Sequence, residues 1–119
     1  MKRVLVIVPF PMNERNLAQR RAQVDAVELG PGIEFDFRPV KAAPRNYVSA
    51  SDMVLAEVGA LEAGLEAEAE GYDAVCIDTM SDSGLAALRA ELTIPVIGPG
   101  RASALMAMML GKRFSYVAM

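Results

Sequence analysis

The sequence predicts an α/β fold, a three-layer αβα sandwich around a parallel sheet of four to five strands. Two observations favour this class. Short apolar runs rich in β-branched residues alternate with longer segments of helical spacing, and the first run, Val4 to Val8, lacks a polar face. A strand that is apolar on both faces is typical of a parallel sheet covered by helices on each side. The 119 residues are enough for one hydrophobic core and too few for two.

Two strands and a helix are predicted in the amino-terminal third of the chain. The strand over residues 4–8 ends at Pro9, and a helix is predicted over residues 15–29, where the sequence "GPG" stops it. In the segment 33–38, "IEFDFR", apolar and charged residues alternate. This pattern predicts a half-exposed strand at the edge of the sheet.

The rest of the chain continues the alternation. Ser51 is the predicted N-cap of a second helix that extends to about Glu70. The remaining predicted elements are strands at 72–78, 94–97 and 113–119 and helices at 84–92 and 102–110. Right-handed crossovers place the carboxyl ends of all parallel strands at one edge of the sheet, which is where ligands bind in such folds.

Composition excludes several classes of function. A net charge of −3 without a long basic run argues against a nucleic-acid partner. Because Cys76 is the single cysteine and histidine is absent, the chain cannot form an internal disulfide and offers no imidazole as metal ligand or base. We therefore expect a reducing, cytoplasmic location. The apolar stretch 102–110 is about half as long as a membrane span, so we expect no membrane insertion.

The most polar of the predicted strand ends is the segment "DTMSDS", residues 78–83. Ser83 is the predicted N-cap of the helix that starts at Gly84, with Asp82 as the alternative. Cys76 lies within the strand, on the face opposite Thr79, and a buried structural thiol is the expected role there. Thr79, Met80 and Ser81 are the candidate site residues of this loop.

Other strand ends contribute weaker candidates. Phe10 and Pro11 follow the first strand, where Phe10 either contacts a large or apolar substrate group or packs against the first helix. Ser49 follows the second strand, from where it can reach the same edge. The turn "GPGRAS", residues 98–103, lacks the lysine of a P-loop and the spacing of a dinucleotide fingerprint, so nucleotide binding is not expected.

The two ends of the chain are alike. "MKRVLVIVPF" at the start and "GKRFSYVAM" at the end both have a basic pair followed by a β-rich apolar run. This similarity predicts that residues 1–111 form one α/β lobe. Residues 112–119 would then begin the first strand of a second lobe that is absent or truncated.

The stretch "GYDAVCIDTMSDSGLAALRAELTIPVIGPGRASALMAMMLGKRFSYV" resembles the end of the first lobe of the Asp/Glu/hydantoin racemase superfamily. The shared features are an apolar strand that ends at a reactive residue, a helix start of the form Ser-Asp-x-Gly-Leu, an "IPVIG" strand and a "GKRF" lead into the next strand. The resemblance implies a flavodoxin-like lobe that faces a second lobe across a cleft. It also implies an isomerase that forms and reprotonates a carbanion at the α-carbon of a small carboxylate or amino-acid-type substrate, without a cofactor. Arylmalonate decarboxylases and maleate isomerases are related to this superfamily.

The resemblance places Thr79 where the family carries a reactive cysteine. Three roles for Thr79 stay open: an acid or base opposite a cysteine of the second lobe, a hydrogen-bond donor in a one-base enzyme, or a cap of the turn. The resemblance also implicates Ser81 in carboxylate binding, and it implies that a second lobe or a homo-oligomer partner completes the site. The alternative is a binding or receiver module with Asp78 as phosphoacceptor, but the acidic pair and the lysine of receiver modules are missing from this sequence.

Overall fold

The structure, a computed structural model, describes residues 1–117. Within this range, strands and helices alternate as predicted. The elements are β1 (Lys2–Val8), α1 (Glu14–Asp25), β2 (Ile33–Pro39), α2 (Ala50–Gly64), β3 (Ala74–Ile77), α3 (Leu85–Glu91), β4 (Val96–Ile97) and α4 (Pro99–Leu110). All strand pairs are parallel, and the order in the sheet is β2-β1-β3-β4. The predicted α/β fold is therefore confirmed, and so is the position of β2 at the edge.

The main hydrophobic core lies between the sheet and the helices α2 and α3. Leu5 and Ile7 of β1, Ile77 of β3 and Leu88 of α3 are fully buried in it. At Gly64 of α2, an added Cβ atom would lie 2.9 Å from Ile7 Cδ1, so the missing side chain lets α2 approach β1 closely. Truncating one such buried leucine to alanine typically costs about 2–5 kcal/mol of stability.

The opposite face of the sheet has a thinner cover. Val6 and Val8 of β1 are buried outside the main core cluster, and Leu17 is the buried residue of α1. On β4, Ile97 stays 41% exposed. Helices thus lie on both faces, as a three-layer sandwich requires, but this second face is incompletely covered within residues 1–117.

Most elements are shorter than predicted. α1 ends at Asp25, four residues before the predicted end at Leu29, because the side chains beyond it find no core: Val27 and Leu29 are 58% and 45% exposed. β3 is shorter than predicted at both ends, and β4 is shorter at its amino-terminal end. Apolar periodicity marks the centre of an element more reliably than its ends.

The prediction that Ser51 caps α2 is wrong. Ser49 is the N-cap: its hydroxyl accepts a hydrogen bond from the Asp52 amide, and the Asp52 carboxylate accepts one from the Ser49 amide. This reciprocal capping box needs an acidic or amide side chain three residues after the cap. Ser51 has Val54 at that position and cannot form it. α2 ends at Gly64 and not near Glu70, because turns lead from there to Gly71, which has a φ of +88°.

α4 differs most from the other helices. It begins at Pro99, three residues before the predicted start, and none of its residues is buried. Residues 113–117 form neither helix nor strand; residues 118 and 119 of the predicted fifth strand lie outside the described part of the chain. The segment runs back along α4, where the Tyr116 hydroxyl donates to the Gly100 carbonyl at 3.3 Å. No helix within residues 1–117 is long and apolar enough to cross a membrane.

Candidate functional site

The loop that follows β3, residues 78–84, lies at the centre of the carboxyl edge, between the ends of β1 and β4. We call it the central loop. The Asp78 amide donates to the Ile7 carbonyl at 2.8 Å and so continues the β1–β3 pairing up to the loop. The Asp78 side chain forms an ion pair with Arg20 of α1. The sequence analysis missed Arg20, which is 58 residues away and in no recognisable motif.

Three hydroxyl groups of this loop form a continuous chain, which we call the hydroxyl chain (Thr79, Ser81 and Ser83). Thr79 Oγ1 lies 2.8 Å from Ser81 Oγ, and Ser81 Oγ lies 2.8 Å from Ser83 Oγ. The Ser81 amide also donates to Thr79 Oγ1 at 3.3 Å. Ser81 is exposed, Thr79 is half-buried and Ser83 is only 4% exposed. The structure therefore brings the two predicted site residues Thr79 and Ser81 together and adds Ser83.

The predicted capping of α3 is wrong for both residues. The N-cap of α3 is Gly84, with a φ of +81° and no side-chain hydrogen bond to the helix. Ser83 does not cap the helix; its hydroxyl lies 2.8 Å from Ser81 Oγ. Glycine takes the position because a left-handed backbone is costly for other residues, and because an added Cβ would lie 2.9 Å from Ala60 Cβ.

Asp82 caps α4 in place of α3. Its carboxylate accepts hydrogen bonds from the Gly100 and Arg101 amides at 2.9 and 2.8 Å, and its own φ is +51°. The fit is tight, since a Cβ atom on Gly100 would lie 2.2 Å from the Met80 carbonyl oxygen. Asp82 thus ties the loop after β3 to the loop after β4, and it engages amides that an anion would otherwise contact.

The loops after β1 and β2 also meet. Phe10 is 41% exposed, and its ring packs edge-on against Tyr47 with 5.2 Å between the ring centroids. The Tyr47 hydroxyl donates to the Pro9 carbonyl at 2.6 Å, and burial raises the pKa of this phenol. Pro11 beside it is exposed. Sequence reasoning missed Tyr47, although an aromatic residue in a loop of Pro, Asn and Ser was a signal available in the sequence.

The remaining predicted site residues differ in their position. Met80 is 49% exposed and belongs to the central loop. Ser49 is exposed but follows β2, which β1 separates from β3, and its hydroxyl is occupied by the capping box and by Ser51 at 3.0 Å. The contacts of Ser49 are thus those of a helix cap. Its substrate contact, like those of Phe10, Pro11, Met80 and Ser81, stays a prediction.

Cys76 behaves as an unreactive thiol. Burial, together with the negative charges of Asp78 and Asp82, raises its pKa to about 11. At neutral pH the sulfur is therefore protonated and a weak nucleophile and base. Residues 1–117 also contain no group of three or more His, Cys, Asp or Glu side chains that could hold a metal ion. The reactive groups available at this edge are hydroxyls.

Comparisons with known proteins identify the family and agree with the fold. Residues 14–119 match the family described as Asp/Glu/hydantoin racemase. Allantoin racemase from Klebsiella pneumoniae has a similar structure, with a TM-score of 0.77 and 28% sequence identity over 92% of this chain. The match covers 44% of the allantoin racemase, so the present chain spans less than half of that protein's length. None of the curated proteins gives a significant match. The family match includes the loops after β2, β3 and β4, and this chain belongs to the Asp/Glu/hydantoin racemase family.

Proposed function

We propose that the chain is one α/β lobe of a cofactor-independent isomerase. The enzyme would racemise or isomerise a small carboxylate or amino-acid-type substrate at its α-carbon. The observation that carries the proposal is the family match, which extends over the entire central loop with Thr79 and Ser81. Allantoin, the substrate in the name of the structural neighbour, is the first compound to test.

The charges around the central loop support binding of an anionic or enolate-forming substrate. Removal of an α-proton moves negative charge to the neighbouring oxygens, which hydrogen-bond donors in a preorganised site stabilise. Both carboxylates of the loop have partners: Asp78 is paired with Arg20, and Asp82 accepts from two backbone amides. Thr79 and Ser81 are neutral. The loop therefore offers hydroxyl groups without an unpaired carboxylate beside them.

A second lobe completes the proposed enzyme. α4 is rich in apolar side chains, yet Leu105, Met108 and Leu110 are 58%, 66% and 81% exposed. A helix that is apolar on all sides is typically buried. The allantoin racemase chain is more than twice as long as the matched part. We propose that residues 1–111 form the first lobe, that residues from 112 lead into the second, and that this second lobe or another copy of the chain covers α4.

Proton exchange in heavy water tests the proposal. The full-length protein is incubated in D2O with allantoin, 5-substituted hydantoins, aspartate and glutamate. Deuterium at the α-carbon is measured by NMR, and optical purity by chiral chromatography. We expect enzyme-dependent deuteration together with loss of optical purity for at least one substrate. Absence of both for all compounds, with a folded protein, would contradict the proposal.

The 119-residue chain alone is the matched control. Because it supplies one wall of the proposed cleft and lacks a second reactive group, we expect no deuteration by this chain at any concentration at which it is monomeric. Exchange that appears only as the chain dimerises would identify a second copy as the partner. Exchange by the monomer would show that one lobe suffices.

A decarboxylase or maleate isomerase is the second candidate. Thr79 stands at the position where the resemblance leads us to expect a cysteine, and a hydroxyl suits a one-base enzyme better than a two-base racemase. Arylmalonate and maleate belong in the same assay. Release of CO2 from the former, or conversion of the latter to fumarate, without α-exchange of allantoin, would favour this candidate. The receiver-module alternative has no support, since the chain belongs to the racemase family.

A further inference from the structure

We propose that the hydroxyl chain has a fixed direction, from the buried Ser83 outward through Ser81 to Thr79. In this direction Thr79 keeps its own hydroxyl proton free at the edge of the sheet. Thr79 is then a hydrogen-bond donor to a substrate oxygen, and Ser83 is the positioning residue that sets this state. The inference rests on the proposed function and deepens it, because it selects one of the three roles that the sequence left open for Thr79.

The buried end of the hydroxyl chain fixes the direction of the first hydrogen bond. Ser83 is 4% exposed, and within residues 1–117 the hydrogen-bond partner of its hydroxyl is Ser81 Oγ, 2.8 Å away. A serine hydroxyl has one proton to donate and two lone pairs that accept. If Ser81 donated this bond, the Ser83 proton would be buried without an acceptor, which is unfavourable for any polar group. Ser83 therefore donates and Ser81 accepts.

The second hydrogen bond follows from the first. Ser81 Oγ already accepts from Ser83, and Thr79 Oγ1 lies 2.8 Å on its other side. Hydroxyls that each accept one bond and donate the next polarise one another and strengthen the chain. This cooperativity favours donation from Ser81 to Thr79, which is the direction that we propose. The Ser81 amide, at 3.3 Å, donates to the same Thr79 oxygen.

The state of Thr79 is the chemical result. Both lone pairs of Thr79 Oγ1 face donors of Ser81, one from its hydroxyl and one from its amide. An oxygen that accepts two hydrogen bonds is a weaker base and a stronger donor, because the donors withdraw electron density from its O–H bond. The proton of Thr79 then stays available, at the edge of the sheet, to an oxygen of a substrate. The base that removes the α-proton then lies elsewhere in the enzyme.

Neutron diffraction tests the direction without any assay of activity. Crystals of the full-length protein are exchanged into D2O, and the deuterons on the three hydroxyls are located. We expect the Ser83 deuteron on the line to Ser81 Oγ, the Ser81 deuteron on the line to Thr79 Oγ1, and the Thr79 deuteron outside the loop. A deuteron bonded to Thr79 that lies between Thr79 and Ser81 would overturn the inference, whatever the enzyme's substrate is.

Variants of Ser83 test its positioning role in the exchange assay. Because Ser83→Ala removes one neutral hydrogen bond from the chain, we expect kcat to fall about 3- to 10-fold with KM nearly unchanged. Ser83→Thr, which keeps the hydroxyl, should recover most of this loss. Ser51→Ala is the matched control. It removes an exposed serine–serine contact of 3.0 Å that is not part of the hydroxyl chain, and it should change neither kcat nor KM. Equal kcat in Ser83→Ala and wild type would contradict the role.

Thr79→Cys separates a donor from a base. A thiol is a weak hydrogen-bond donor but a better base than a hydroxyl. If Thr79 is a donor, Thr79→Cys should lose as much exchange activity as Thr79→Ala, while Thr79→Ser keeps most of it. Higher activity in Thr79→Cys, with a new thiol ionisation in the pH profile, would show that the position holds a base. Wild-type protein that acts on no substrate refutes the proposed function and leaves the deuteron positions to decide the direction.

Discussion

The surroundings of Tyr72 and the carboxyl edge of the sheet use polar side chains in opposite ways. Around Tyr72, Arg3 pairs with Asp36 at 2.8 Å, Arg38 pairs with Glu70, and the Arg3 guanidinium lies 4.5 Å from the centre of the Tyr72 ring. We call these five residues the base network. At the carboxyl edge, neutral hydroxyls form a chain that ends at an exposed surface.

We expect this difference to separate stability from the proposed function. The base network connects β1, β2 and the turn after α2, and its charges are satisfied by one another, so it can hold the fold together but has little left to offer a ligand. The hydroxyl chain connects residues of one short loop and adds few tertiary contacts, but it presents groups that a ligand can use. Under the proposed function, the base network would stabilise the fold and the hydroxyl chain would bind the substrate.

Removing Tyr72 should be the most damaging change to the base network. Tyr72 is 8% exposed, its ring contacts Arg3, and its hydroxyl donates to Asp36 Oδ2 at 3.1 Å. Because truncating a buried aromatic residue leaves a cavity, we expect Tyr72→Ala to lower the free energy of unfolding by about 3 kcal/mol. Tyr72→Phe, the control, loses only the hydrogen bond and should cost about 1 kcal/mol. Urea denaturation measures both; equal losses would assign the stability to the hydroxyl alone.

Gly100 is expected to matter for stability although it lies at the carboxyl edge, close to the central loop. A Cβ atom on Gly100 would lie 2.2 Å from the Met80 carbonyl oxygen, so Gly100→Ala must displace the backbone of the central loop. We expect a loss of about 2 kcal/mol, typical of overpacking. At Gly111 the nearest atom would be 3.7 Å away, so Gly111→Ala should stay within about 0.5 kcal/mol of wild type. Thermal unfolding of both variants checks this, and similar melting temperatures would contradict it.

Acid is expected to weaken the stabilising effect of the base network. The hydrogen bond from Arg3 lowers the pKa of Asp36, and that from Arg38 lowers the pKa of Glu70. A carboxyl group whose pKa is lower in the folded state stabilises the fold fully above its unfolded pKa of about 4, and it loses this contribution as the pH falls through the folded value. We expect the free energy of unfolding to decrease below about pH 4, by less than about 1 kcal/mol per pair because the pairs are partly exposed.

The double variant Asp36→Asn, Glu70→Gln provides the control for this pH dependence. It has no ionisable group at either position, so its free energy of unfolding should fall less steeply between about pH 5 and pH 2 than that of the wild type. Guanidinium chloride would screen the pairs, and the unfolding series should therefore use urea. Parallel curves for the two proteins would show that other carboxylates cause the acid sensitivity.

The features that the sequence predicted correctly are those that depend on residues close together in the chain. The apolar run of β1 and the alternation in β2 are patterns of neighbouring residues, and they led to the correct strands and the correct edge position. The proximity of Thr79 and Ser81 was likewise predictable, because they are two residues apart in one loop. The capping box was visible as Ser49 and Asp52 three residues apart, and only the choice of Ser51 over Ser49 hid it.

The contacts that shape the site were not predictable, because they join distant parts of the chain. Asp82 binds amides 18 and 19 residues later, and Arg20 reaches Asp78 across 58 residues. A single sequence shows which side chains can form hydrogen bonds or ion pairs. Which residues they pair with depends on how the helices and strands pack. The outward position of α4 is a third example, since its apolar composition predicts burial that residues 1–117 do not provide.

The smallest effect on stability is expected at the hydroxyl chain. Thr79→Ala removes a hydroxyl whose partner Ser81 is exposed and can bind water in its place. We expect the change in the free energy of unfolding to stay within about 0.5 kcal/mol. Under the proposed function, Thr79→Ala should nevertheless lower exchange activity about 100-fold, the usual cost of losing one donor to a developing oxyanion. A variant with normal stability and low activity would locate function at this edge, whereas equal losses of stability and activity would reduce Thr79 to a cap of its turn.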